Sequence, residues 1–152
     1  MATVYSVQKT KWDQNSPKTK INTREQAGRV RVAYANYVAA AEQSDIHMFN
    51  LPDDARILTM EVAHVALGAG TTLSVGYAAH TNRAGTAVAA DVDEYKAAAA
   101  STSIAVTGAA LTEALGRHTV TDANQDGVPV TVSLAGANGT GAISLTCTYV
   151  VD

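Results

Sequence analysis

The sequence predicts an all-β protein: an antiparallel β-sandwich, jelly-roll-like, with an extended N-terminal arm and one short helix. Three observations carry this. Several segments alternate apolar and polar residues with period two and are separated by Gly, Asn and Asp turns. Hydrophobic residues make up 47% of the 152-residue chain but aromatics only 5%, much of the remainder being alanine, which suits the thin aliphatic core of a sandwich. A single segment, an Asp-led run of alanines, has a helix signal. Strand order is not legible, and a jelly roll and a simpler Greek-key sandwich both fit.

Residues 1–28 show little periodicity. "TKWDQNSPKTKINTREQAG" is rich in Lys, Asn, Thr and Gln and reads as an extended arm. "VYSV" near its start suits a short strand added to a neighbour's sheet edge. The sandwich domain is assigned to residues 29–152. In "GRVRVAYANYVAA", Val30, Val32, Tyr34 and Val38 share one parity while Arg29, Arg31 and Ala33 take the other, the pattern of a half-buried strand. "QSDIHMFNLPDDA" follows as a loop, with turn chemistry in its Pro-Asp-Asp. "RILTMEVAHVAL" and "TTLSVGY" are strands. They flank Gly68-Ala69-Gly70, whose backbone freedom suits a tight reversal, so the two are expected to pair as a hairpin. "AAHTNRAGTAVAA" reads as a loop. In "DVDEYKAAAAS", Asp91 is placed to cap a helix of one to two turns, with Asp93 and Glu94 where the dipole favours them. "SIAVTG", "EALGRHTVTD", "VPVTVSL" and "GAISLTCTYVV" complete the strands. The last alternates Ile143, Leu145, Cys147, Tyr149 and Val151 against Ala142, Ser144, Thr146, Thr148 and Val150, and is expected inside its sheet.

Charge is distributed unevenly. Residues 1–31 hold seven basic residues (Lys9, Lys11, Lys18, Lys20, Arg24, Arg29, Arg31) against Asp13 and Glu25, a net of +5. Residues 32–152 hold four basic and twelve acidic residues, a net of −8. A basic head on an acidic body reads either as a solvated tail or as an arm that docks on an acidic surface, the second being the expectation. Trp12, the only Trp in the chain, lies in that arm and supplies an apolar anchor.

No catalytic constellation assembles. His47, His64, His80 and His118 lack the spacing of a zinc site, and no nucleophile elbow or phosphate-binding Gly loop occurs. His64 has the parity of Met60 and Val62 and reads as a core-edge residue; His80 reads as a loop-tip residue. Cys147, the only cysteine, falls at a strand position and reads as a buried inert thiol. "DANQDG" offers Asp122, Asn124 and Asp126 as a weak candidate for a cation, but position twelve of such a loop is Ser133 instead of Glu, so a plain acidic turn is the expectation. No metal, cofactor or enzymatic activity is expected. No apolar run approaches the ~20 residues of a membrane span, and the N-terminus lacks the apolar stretch of a signal segment, so synthesis in a cytoplasm is expected, with no membrane and no direct nucleic-acid partner.

The ordered features resemble a family of small structural proteins that tailed bacteriophages encode beside their capsid genes. The carriers are "MATVYSVQ", "GRVRVAYANY", "LPDDARILTMEVAHVALGAGTTLSVGY", "DVDEYKAAAAS" and the closing "GTGAISLTCTYVVD". They correspond to the family's "LPxGARV" turn, "LGAxTTLxVGY" pair, "DxDxF/Y" segment and final "YVVD" strand. Here Asp53-Asp54 follows Pro52 where the pattern usually has a Gly, which alters the turn. The resemblance implies a capsid decoration (cement) protein: a trimer on the outer head surface that clamps neighbouring major capsid proteins against internal pressure. The alternatives are another virion component (head fibre, collar or tail protein) with a glycan-binding sandwich, or a free-standing enzyme or small-molecule binder. One Trp and one Phe are few for sugar stacking, and the polar groups of an active site do not converge.

Overall fold

The computed structural model describes residues 29–109 and 127–151. Among these there are ten strands and no helix: β1 (Arg29–Glu42), β2 (Asp45–Leu51), β3 (Arg56–His64), β4 (Thr72–Tyr77), β5 (His80–Thr81), β6 (Ala87–Val88), β7 (Asp91–Ala100), β8 (Ala105–Gly108), β9 (Val128–Ala135) and β10 (Gly139–Val151). One four-stranded sheet has the order β1-β10-β3-β8 and a second the order β2-β9-β4-β7, while β5 and β6 form a two-stranded ribbon. Every pairing is antiparallel, and the pairs β1·β10, β2·β9, β3·β8 and β4·β7 are nested in sequence like a long hairpin. The pairs β10·β3 and β4·β9 roll that hairpin into two sheets.

The inward faces of both sheets meet in one core. Ile57, Met60, Val62, Ile143, Leu145 and Cys147 come from the first sheet; Leu51, Leu73, Val75, Val130, Val132 and Tyr95 come from the second. The alternation read from β10 holds from Ile143 through Leu145 to Cys147, all buried, and breaks at the irregularity between Thr148 and Tyr149, beyond which Val150 is the buried residue in place of Tyr149 and Val151. β10 lies between β1 and β3.

Four expectations are corrected. Asp91–Ala100 is a strand where a short helix was expected over 91–101: β7 pairs with β4, with two irregularities in register. The Asp91 carboxylate does accept a bond from the Asp93 N–H (3.3 Å), so the local cap chemistry is present. What overrides it is Tyr95, which fills the core at 1% exposure, and the open edge of β4 that needs a partner. The stretches around Gly68-Ala69-Gly70 do not form a hairpin. β3 and β4 lie in different sheets, and the chain between them crosses from one to the other. That crossing is fixed by backbone bonds from Val65 N to Ala142 O (3.1 Å), Leu67 N to Ser101 O (2.9 Å) and Thr140 N to Leu67 O (2.9 Å). The loop read at 43–55 contains β2, and the loop read at 78–90 contains the β5–β6 ribbon.

Pro52 to Ala55 is a turn closed by the Ala55 N–H on the Pro52 carbonyl (3.1 Å). Asp54 adopts φ 61° there, the left-handed conformation that explains why the resembled pattern places a glycine at this point. Arg83, from the turn of the β5–β6 ribbon, bonds both Asp53 and Asp54, its Asp54 contact being 2.9 Å. It thereby neutralises the acidic corner and ties the ribbon to the entrance of β3.

Candidate functional site

The outward face of the β1-β10-β3-β8 sheet is the part of the described surface that departs from ordinary solvent exposure. An antiparallel sheet with one face on the core usually shows polar residues on the other. Here Val30, Val32, Tyr34 and Val38 of β1 point outward, Tyr34 at 64% exposure, and Ile104 and Val106 at β8 are exposed to 78% and 61%. This corrects the reading of β1. Its period is two, as expected, but the parity turned to the core is that of the alanines, with Ala39 buried and Ala33 packed against the core. The sequence signal that leaves both directions open is the parity 33, 35, 37 and 39, which is uncharged and admits burial as well as the valine parity does.

The two inner strands complete the shape. Across the outward face, β10 contributes Ala142, Ser144, Thr146 and Thr148, and β3 contributes Thr59, Glu61 and Ala63. The Thr59 and Thr148 hydroxyls bond one another across the strands. Large side chains on the two margins and small ones between them make a trough of about 310 Å³, lined among others by Tyr34, Asn36, Ala63, Ile104, Val106 and Ala142. The polar groups that line it are amides and hydroxyls, together with the edge of His64, whose Nδ1–H donates to the Val65 carbonyl (2.8 Å). Sequence reasoning did not single out Ile104 or Val106.

The residues singled out from sequence fall as follows. Arg29 and Arg31 are exposed at the start of β1, beside the apolar face. Lys9, Lys11, Trp12, Lys18, Lys20 and Arg24 lie outside the described residues, as do the cation candidates Asp122, Asn124 and Asp126. Among the described residues no group of three or more His, Cys, Asp or Glu is arranged to hold a metal. His64 is buried at 7% exposure, as its parity predicts. His80 belongs to the β5–β6 ribbon, with its Nδ1–H on the Ala78 carbonyl (3.0 Å) and its ring edge-on to Tyr77 at 5.4 Å. Cys147 is fully buried, and that burial pushes its thiol up to about 12, far from the reactive range.

Comparison with solved structures finds a similar fold in the capsid of Ralstonia phage GP4, with a TM-score of 0.58 and 22% identity over 83% of this chain and 86% of that one. The fold is one that phage capsids contain. A chain of the cyanophage Pam1 capsid aligns with a TM-score of 0.57 and 20% identity, over 92% of this chain and 99% of that one. A chain of the acidic stable capsid of Helicobacter pylori bacteriophage KHP30 aligns with a TM-score of 0.54 and 15% identity, over 80% and 87%. At these identities the likeness to the capsid chains is one of fold. No protein-family model and no curated protein matches the chain.

Proposed function

We propose that this is a structural virion protein: a decoration (cement) protein on the outer surface of a phage head, clamping neighbouring major capsid proteins against internal pressure. The observation that carries the reading is the apolar outward face of the β1-β10-β3-β8 sheet, on a fold shared with phage capsid chains. A solvated monomer gains nothing from six exposed valine, isoleucine and tyrosine side chains gathered on one sheet, whereas a protein that spends its life against a shell does. The basic segment 1–28 enters the fold at Arg29, on the border of that face, so arm and face address one partner together. The nested pairing and the two strand orders support a jelly roll over a simpler Greek key.

In this reading the arm is the principal attachment. The +5 of residues 1–31, which include Arg29 and Arg31 at the start of β1, against the −8 of residues 32–152 orients this end toward an acidic capsid surface during approach. Exposed ion pairs contribute only ~0.2–1 kcal/mol each, so Trp12 and the apolar face supply the area that holds. The working oligomer is a trimer, following the resemblance. The aromatic-poor core and the exposed face both leave apolar area for subunit and capsid contacts to cover. Light scattering on the isolated protein is expected to give three times the 15.7 kDa chain mass, and a monomer at high concentration contradicts it. The cheapest test of function is the copy number per purified virion. Hundreds of copies are expected; a dozen or fewer assigns the protein to a collar or tail.

A further inference from the structure

We infer that β1 is a self-recognition edge, and that two copies of this chain pair their β1 strands antiparallel about a twofold axis through Ala35. Four edge strands bound the two sheets, and three are defended against pairing. β8 is only four residues long, β7 carries Asp91, Asp93, Glu94 and Lys96, and β2 is short and broken by a register shift between His47 and Phe49. β1 is fourteen residues long, and among the described residues it pairs with β10 alone. From Val32 to Ala39 it reads "VAYANYVA", with no charge, proline or glycine. A long, uncharged, β-branched edge of this kind is a template for another strand.

What selects a second copy is the self-complementarity of the strand. With Ala35 opposite Ala35 of the second copy, Val32 faces Val38 and Tyr34 faces Asn36, each on the outward side. At the ends, Arg29 faces Glu42, because Ala41 is an extra residue at a bulge (φ 63°) and Glu42 takes its place in the alternation. The Glu42 carboxylate is already positioned there by the Tyr37 hydroxyl (2.7 Å), the Ala40 N–H (3.3 Å) and the Ser44 hydroxyl (3.2 Å). Moving the axis one residue either way sets Tyr34 or Asn36 against itself and separates Arg29 from Glu42. The pairing is isologous, so it cannot build a cyclic trimer. It joins one such oligomer to the next and merges two apolar faces into one broad sheet.

Disulfide trapping in the full chain tests this, since the one native cysteine is buried. Directly opposed residues of an antiparallel pair have Cα atoms ~4.5–5.5 Å apart, within the span of a disulfide. Under mild oxidation Ala35→Cys is expected to run as a covalent dimer on a non-reducing gel, while Thr146→Cys, one strand inward on β10, does not. Val32→Cys and Val38→Cys fix the register. Each alone places its thiols ~20 Å apart along the strand and is expected to stay monomeric on the gel, whereas an equal mixture cross-links about half of the chains, the share of mixed pairs about a twofold. An Ala35→Cys yield no higher than that of Thr146→Cys overturns the edge pairing. Cross-linking of Val32→Cys alone as readily as in the mixture overturns the register and with it the inference.

Discussion

Cys147 carries the only thiol of the chain, and its place on the inward side of β10 decides its chemistry. Burial raises the thiol from its ordinary 9.0 to about 12, so the folded state keeps a proton that the unfolded chain releases. Folded stability from this group is complete below pH 9 and is lost as pH rises toward 12. Tyr95 and Tyr77 are shifted upward too, chiefly by burial, and steepen the loss above their ordinary value of 10.0. Urea midpoints are therefore expected to fall from neutral pH into the alkaline range, and Cys147→Ala to show a shallower alkaline fall despite lower stability at neutral pH. An equal alkaline slope in both proteins contradicts the assignment. The same burial predicts no reaction with a thiol reagent in the native state and full reaction in denaturant. Gly76 illustrates a different constraint. A Cβ there would lie 1.9 Å from the Asp91 carbonyl oxygen and 2.5 Å from the Val92 carbonyl carbon, both backbone of β7. Gly76→Ala must push β4 and β7 apart and is expected to cost about 3 kcal/mol in urea unfolding; a loss below ~0.5 kcal/mol, the range of neutral surface changes, contradicts that packing.

At the scale of elements, strands with one inward parity of large residues were legible and their neighbours were not. The alternation of β10 predicts its buried side from Ile143 to Cys147, and fails beyond the irregularity at Thr148–Tyr149, where Val150 turns inward. For β3 and β4 the same periodicity identifies two good strands, but both present apolar faces to a shared core from opposite sheets, and alternation is silent on which strand is beside which. In β1 the period is right and the direction reversed, because the parity of Ala33, Ala35, Tyr37 and Ala39 is uncharged and admits burial as well as the valine parity does. In β7 the local signals, an Asp cap and four alanines, favour helix, and a tertiary demand prevails. Tyr95 is that demand: at 1% exposure, edge-on to Tyr77 at 6.1 Å, it is the largest fully buried side chain among the described residues. Tyr95→Ala is expected to cost about 3–5 kcal/mol, as large aromatic truncations do, with the loss read in chemical unfolding. A cost under ~1 kcal/mol would mean that β7 does not hold its place through this ring.

For the whole molecule, the trough and its apolar rims were the part least legible in sequence, because Ile104 and Val106 enter it only through the order of strands in the sheet. The charge asymmetry was legible at once, and the proposal builds on it: a body that folds and an arm that attaches. Deleting residues 2–24 removes none of the described fold, so attachment and folding can be separated experimentally. The most direct measurement is co-sedimentation with capsids stripped of this protein. The full chain is expected to pellet with the shells, the form lacking residues 2–24 to stay in the supernatant while remaining folded, and Trp12→Ala to weaken binding more than any single Lys→Ala among Lys9, Lys11, Lys18 and Lys20, as a buried aromatic anchor should. Raised salt is expected to slow association without releasing protein already bound. If the form without residues 2–24 pellets as well as the full chain, attachment lies on the sandwich alone and the account of the arm is wrong.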